Sequence, residues 1–170
     1  MRSILLTGLL LLTAAAPAPG DADIRAGYCG AVVDNALTIA QSVQIPPGSG
    51  PEKTRQDVLS IGGQMRTHFS QELQSSGALS DPARKQAVLT AQGQGQADSQ
   101  HCLATSLVCA VQAGVPVNGG TFHPDKTAGT EIGMRGLACA LKDGACGKVA
   151  TCALDGGLPL QTLMQAMPRK

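Results

Sequence analysis

Six cysteines and three histidines are the residues in this chain whose types could do chemistry, and their spacing decides what kind. Cys102 and Cys109 stand seven residues apart in His101-Cys102-Leu103-Ala104-Thr105-Ser106-Leu107-Val108-Cys109, a stretch with helical periodicity. A helix rises 1.5 Å per residue and would hold these two about 10 Å apart. A disulfide needs Cα atoms within roughly 7 Å, so each must look elsewhere for a partner. The other four, Cys29, Cys139, Cys146 and Cys152, are the available partners, and structural disulfides are the chemistry the pattern points to.

Metal and redox chemistry lack their spacings. The chain has no Cys-x-x-Cys, no His-Glu-x-x-His and no Cys-x-x-Cys-His, and His68, His101 and His123 are scattered. Oxidised sulfurs are not metal ligands, and thiolate-based redox motifs need the missing pair. A helical bundle offers His68 or His101 with Met65 as haem axial ligands, which keeps a b-type haem or metal carrier as an alternative. Hydrolysis has less to stand on. Gly48-Ser49-Gly50 is not a nucleophile elbow, because no strand precedes it. Asp21, Asp23, Glu52 and Asp57 sit where helix starts account for acids. A small hydrolase would have to be built around His68 or His123. No catalytic residue, no metal site and no cofactor is assigned.

The elements that position the cysteines follow from periodicity. Residues 1–20 carry Met1-Arg2, an apolar run over 4–12 and then small residues, the pattern of a secretory signal peptide cut after Gly20 or Ala22. That run is too short to span a bilayer, and no later stretch is long and apolar enough, so membrane insertion is not expected after cleavage. Roughly 150 residues remain, enough for one modest core. A bundle is expected over 21–113. Its first helix takes Asp21 or Asp23 as N-cap and stops at Pro46-Pro47. The second opens at Pro51 and runs to about 76, its stripe of Val58, Ile61, Met65, Phe69 and Leu73 interrupted by Gly62-Gly63, where a neighbouring helix packs closely. Gly77 ends it, and Ser80-Asp81-Pro82 starts a third over 83–112.

A bridge from Cys29 to Cys102 or Cys109 would require that third helix to reverse at Gly93–Gly95, so those two expectations stand together. At least one further bond is expected from Cys102 or Cys109 to the Cys139, Cys146 and Cys152 cluster. Residues 114–130 read as a long loop displaying Val115, Val117, Phe122 and His123, a candidate contact surface. Residues 131–156 read as a Cys-rich helical hairpin, capped by Thr130, turned at Asp143-Gly144 and packed on the bundle. Residues 157–170 read as a flexible tail holding Leu160, Leu163 and Met167.

The expected fold is therefore all-α: a small disulfide-stapled bundle of three to four helices plus the short hairpin. Net charge is +1 and charged residues make up 15%, without the basic stripe that nucleic acid requires. Trp is absent and there are one Tyr and two Phe, so the core must rely on aliphatic side chains and covalent staples. An exported, periplasmic or secreted, bacterial-type protein that is not an enzyme and acts through contacts with a protein partner is the functional expectation. Six free thiols in the isolated protein would overturn it.

Overall fold

The computed structural model describes residues 20–44, 50–115 and 126–156. They form five helices: α1 (Asp21–Ser42), α2 (Gly50–Ser75), α3 (Pro82–Gln112), α4 (Lys126–Ala140) and α5 (Gly144–Asp155). The all-α, disulfide-stapled class holds, and the described residues contain no strand. The expected signal peptide, the Pro46-Pro47 stop and the C-terminal tail lie outside the described residues.

α1 is the axis of the molecule. Its apolar face buries Ala26, Cys29, Val32, Val33 and Leu37 against Met65, Phe69 and Leu73 of α2 and Val88 of α3. α2 runs antiparallel to α1: Gly62 meets Leu37 near one end and Gly30 meets Phe69 nearer the other. The close packing expected at Gly62-Gly63 is confined to Gly62. A Cβ there would lie 2.6 Å from Leu37 Cδ2, whereas Gly63 has open space around it. Gly77 takes φ +70°, a backbone conformation that favours glycine, and ends the α2 region. Asp81 then caps α3, accepting from the Arg84 N–H at 2.8 Å, with proline in the first turn.

The N-cap of α1 differs from expectation. Gly20 occupies it with no side-chain cap bond, and Asp23 is turned inward instead. Arg84 donates to Asp23 Oδ2 through Nε at 2.9 Å and Nη2 at 2.6 Å, and to the Ser76 carbonyl through Nη1 at 3.0 Å. An inward carboxylate so well met is more useful to the fold than a cap, because it ties α1 to the start of α3. Burial raises the pKa of Asp23, but the Ser76 and Arg84 hydrogen bonds and the Arg84 charge outweigh it and hold the carboxyl below its ordinary 3.8.

α3 is unbroken, so the expected reversal at Gly93–Gly95 is corrected: the helix runs from Pro82 to Gln112, about 46 Å. The glycine at 95 serves approach rather than bending. A Cβ on it would collide with the Tyr28 carbonyl oxygen, so α1 and α3 approach closely here, while Gly93 faces open space. α1 and α3 are parallel, paired from Asp23–Arg84 at one end to Asn35–Ser99 further along, where Asn35 Nδ2 donates to Ser99 Oγ at 2.8 Å.

The helix expected at 131–142 begins earlier, at Lys126, so Thr130 lies inside α4 rather than capping it, and the loop is shorter than 114–130. α4 and α5 do not fold back on each other as a hairpin would. Gly136 packs on Ala110 and Cys139 bonds Cys109, while Cys146 bonds Cys102 and Lys148 reaches Asp98. Both helices thus run antiparallel to α3, one after the other.

Two outcomes follow. Gly93→Ala should raise stability by about 0.5–1 kcal/mol through helix propensity alone, whereas Gly95→Ala should lower it by about 2–3 kcal/mol because α1 must move away; urea unfolding of the two variants reads the difference. For Asp23, whose folded pKa lies below its unfolded 3.8, the stabilisation is complete above that value and is lost as pH falls through the folded pKa. Asp23→Asn should cost on the order of 3 kcal/mol at neutral pH by stranding Arg84, and should flatten the acid limb of a stability-versus-pH curve.

Candidate functional site

The sulfurs define the site. Three disulfides use all six cysteines, and Cys29 pairs with Cys152, not with Cys102 or Cys109 as expected. The reason is α5: it returns along α3 and delivers Cys152 to α1, with Cα atoms 5.2 Å apart, so no break in α3 is needed. The other two bonds, Cys102–Cys146 and Cys109–Cys139, join α3 to α5 and α4 with Cα separations of 4.8 and 5.7 Å. The expected link between the Cys102/Cys109 helix and the C-terminal cluster is therefore made twice.

α1 has 22 residues and α3 has 31, so the two parallel helices cannot cover each other fully. The C-terminal part of α3 projects past α1 and packs on α4. This arm has a core of its own made from sulfur: Cys109, Ala140 and Cys146 are buried, with Cys102 and Cys139 packed around them. Gly136 lets α4 approach to the backbone of Ala110, with 3.7 Å from an added Cβ to the Ala110 Cα. Asp143 caps α5, accepting from the N–H groups of Ala145 and Cys146, and pairs across to His101 Nε2 at 3.0 Å. The His101 hydrogen bond, then that from Cys146, keeps the Asp143 carboxyl below its ordinary range.

With its inner side taken by cystine, the arm shows aliphatic side chains outward. On α3, Leu103, Leu107 and Val111 succeed one another at four-residue intervals with Val108 beside them, and Leu107 is 62% exposed. α4 shows Met134 and Leu137 in the same way, and Leu141 is exposed just past its end. Between Asp98 and Gln112 the only titratable side chain is His101. These residues were not singled out by sequence. The signal was there: leucines at 103 and 107 with Val111 fall on the helical side opposite Cys102 and Cys109.

The expected contact loop fares differently. Val115 is half-buried, its N–H donating to the Ala110 carbonyl at 2.9 Å as the end of α3 closes, while Val117, Phe122 and His123 lie outside the described residues. The candidate haem ligands are not brought together. Met65 is buried in the core against Gly156. His68 stacks edge-on against Phe69 beside Asp155, at the far end of α5 from the Asp143 that holds His101. No group of three or more potential metal ligands occurs among the described residues.

Deeper in, Tyr28 donates to Asp98 Oδ2 at 2.9 Å, Gln94 donates to Oδ1 at 2.7 Å, and Lys148 lies 3.9 Å away. Burial, then the Asp98 bond and charge, pushes the Tyr28 hydroxyl far above its ordinary range. This network joins α1, α3 and α5 and helps hold the helices in register.

No protein-family model, no curated protein and no solved structure matches the chain.

The Cys29–Cys152 bond closes a loop with a sequence separation of 123. Replacing both cysteines by alanine should lower the unfolding free energy by about 4–5 kcal/mol on the loop-entropy account, measured by urea denaturation under non-reducing conditions; a loss below about 1 kcal/mol would contradict the assigned role.

Proposed function

We propose that this chain is an exported, non-enzymatic protein that works by binding another protein, and that the outer face of the α3–α4 arm is where it binds. The observation that carries this reading is the aliphatic row Leu103, Leu107, Val108 and Val111, kept outside by a sulfur core that occupies the other side of the same helix. Exposed aliphatic side chains occur singly on any surface, but a row at helical spacing without intervening charge is what a partner's apolar groove or helix takes up. The two covalent rungs fix the spacing of α3 and α4, so little order has to be gained on binding. Export is supported by the signal-peptide pattern of residues 1–20 and by three disulfides, which persist in oxidising compartments. No helix among the described residues is long and apolar enough to cross a membrane.

A photo-activatable residue at position 107, expressed in the native host, tests the proposal against the same residue at exposed Gln71 on α2. A discrete adduct from 107 and none from 71 is expected. Leu107→Asp with Val111→Asp should abolish the contact while changing stability by no more than about 0.5 kcal/mol per site, as exposed positions allow. Equal adducts from both positions, or a contact that survives the double substitution, would remove the arm from consideration.

A further inference from the structure

In the α3–α4 arm, two helices present aliphatic side chains on one common side. Gly136 of α4 meets Ala110 and Ala113 of α3, and Cys139 bonds Cys109, so these residues mark the facing directions. A helix turns about 100° per residue. Leu103 and Leu107 then lie roughly 70–110° round from the α4-facing side of α3. Leu137 and Leu141 lie roughly 110–150° round, in the same sense, from the α3-facing side of α4. Because the two helices are antiparallel, rotations of the same sense bring both rows to the same side. Leu141, just past α4, continues its winding, with its N–H donating to the Leu137 carbonyl at 2.9 Å.

The Cys109–Cys139 rung sets the level of the two rows. Leu107 and Leu141 each lie two residues to one side of it, Val111 and Leu137 two residues to the other. With Leu103 at one end they form a single aliphatic face, each side chain 41–62% exposed. α4 packs on α3, and a two-helix layer with an apolar side calls for a second layer.

Charge and area indicate what that layer is. The five side chains carry no charge, and beside them Glu131 pairs with Arg135 and Asp143 with His101. An acidic or basic partner finds no complementary patch in this face. The chain's net charge is +1, so two copies repel each other weakly. The five side chains together expose on the order of 500 Å² per copy, so a pair buries about 1,000 Å², the lower end of what a specific interface needs. The arm projects past α1, so two arms that cross antiparallel keep their bodies at opposite ends.

Resting on the reading of the arm as a binding surface, we propose that its occupant is a second copy of this chain. The two arms pack face to face about a two-fold axis beside Leu107, with the α3 helices antiparallel. Leu107 meets Leu107 of the other copy, Leu141 meets Leu141, and Leu103 meets Val111. The result is a four-helix interface, the same patch used on both sides.

Sedimentation equilibrium of the full chain as isolated from its host, disulfides intact, tests this over about 1–100 μM. A mass of twice the chain is expected. Leu107→Asp sets two carboxylates together on the axis and should weaken association roughly 100-fold or more. Leu137→Asp should do so from α4, while Leu89→Asp, at a comparably exposed leucine of α3 outside the arm, should leave the dimer intact. Far-UV circular dichroism of each variant separates dissociation from unfolding. A photo-activatable residue at 103, in an equal mixture of isotopically light and heavy chains, should join light to heavy near residue 111. A monomeric parent chain overturns the proposal; if position 107 still yields a discrete host adduct of another mass, the arm remains a binding surface for a different protein. Neither dimer nor adduct removes both readings. A dimer that survives both arm substitutions, or links from 103 confined to its own chain, also overturns the proposal.

Discussion

The bond between Cys29 and Cys152 is the constraint on which the architecture depends. Both residues are buried within the main core, among Val32, Val33, Met65 and Phe69. The bond joins the first helix to the last and so settles where α5 must lie. Once α5 is there, Lys148 reaches Asp98, Arg25 reaches Asp155, and Gly156 comes to rest on Met65. A chain so poor in aromatic residues has little apolar area to offer per side chain, and a buried cystine contributes both volume and a limit on the unfolded ensemble.

Small residues do the complementary work. Gly27 meets Val88, Gly95 meets the Tyr28 carbonyl, Gly62 meets Leu37 and Gly136 meets Ala110. Each gives up a side chain where two helices need proximity: Gly27, Gly95 and Gly136 admit a neighbouring backbone, and Gly62 admits the Leu37 side chain. Three polar pins then set register along α1 and α3: Asp23 with Arg84 near their starts, the Tyr28–Asp98–Gln94 set further on, and Asn35 with Ser99 beyond it. The aliphatic outer face of the arm is a consequence of the same economy, since cystine has filled the inner side that leucines would otherwise have occupied.

Much of this was legible in the residues. Asp81-Pro82 marked the start of α3, Gly77 the end of α2, and the seven-residue gap between Cys102 and Cys109 correctly barred a bond between them. What misled was Gly93–Gly95, where glycine signals either bending or contact, and local composition does not separate the two. Ala91, Gly95, Asp98 and Ser99 fall on one side of a helix and are all buried, so the periodicity favoured contact. The partner of Cys29 was hidden for a different reason: periodicity gives helices but not their direction. A second gap of seven, between Cys139 and Cys146, matched the first and fitted two rungs between antiparallel segments. The outer aliphatic row has the same helical spacing as a buried one, so periodicity alone does not show that it faces outward. The arm's loop residues Val117, Phe122 and His123 lie outside the described residues.

The three bonds are concentric in the sequence: 109–139 inside 102–146, and that inside 29–152. From position 29 to position 152 the polypeptide is therefore a closed covalent ring. A protease that cuts once anywhere between those positions opens the ring without separating the pieces, since the outermost cystine still spans the nick. Releasing a piece from within positions 29–152 thus takes a second cut or prior reduction.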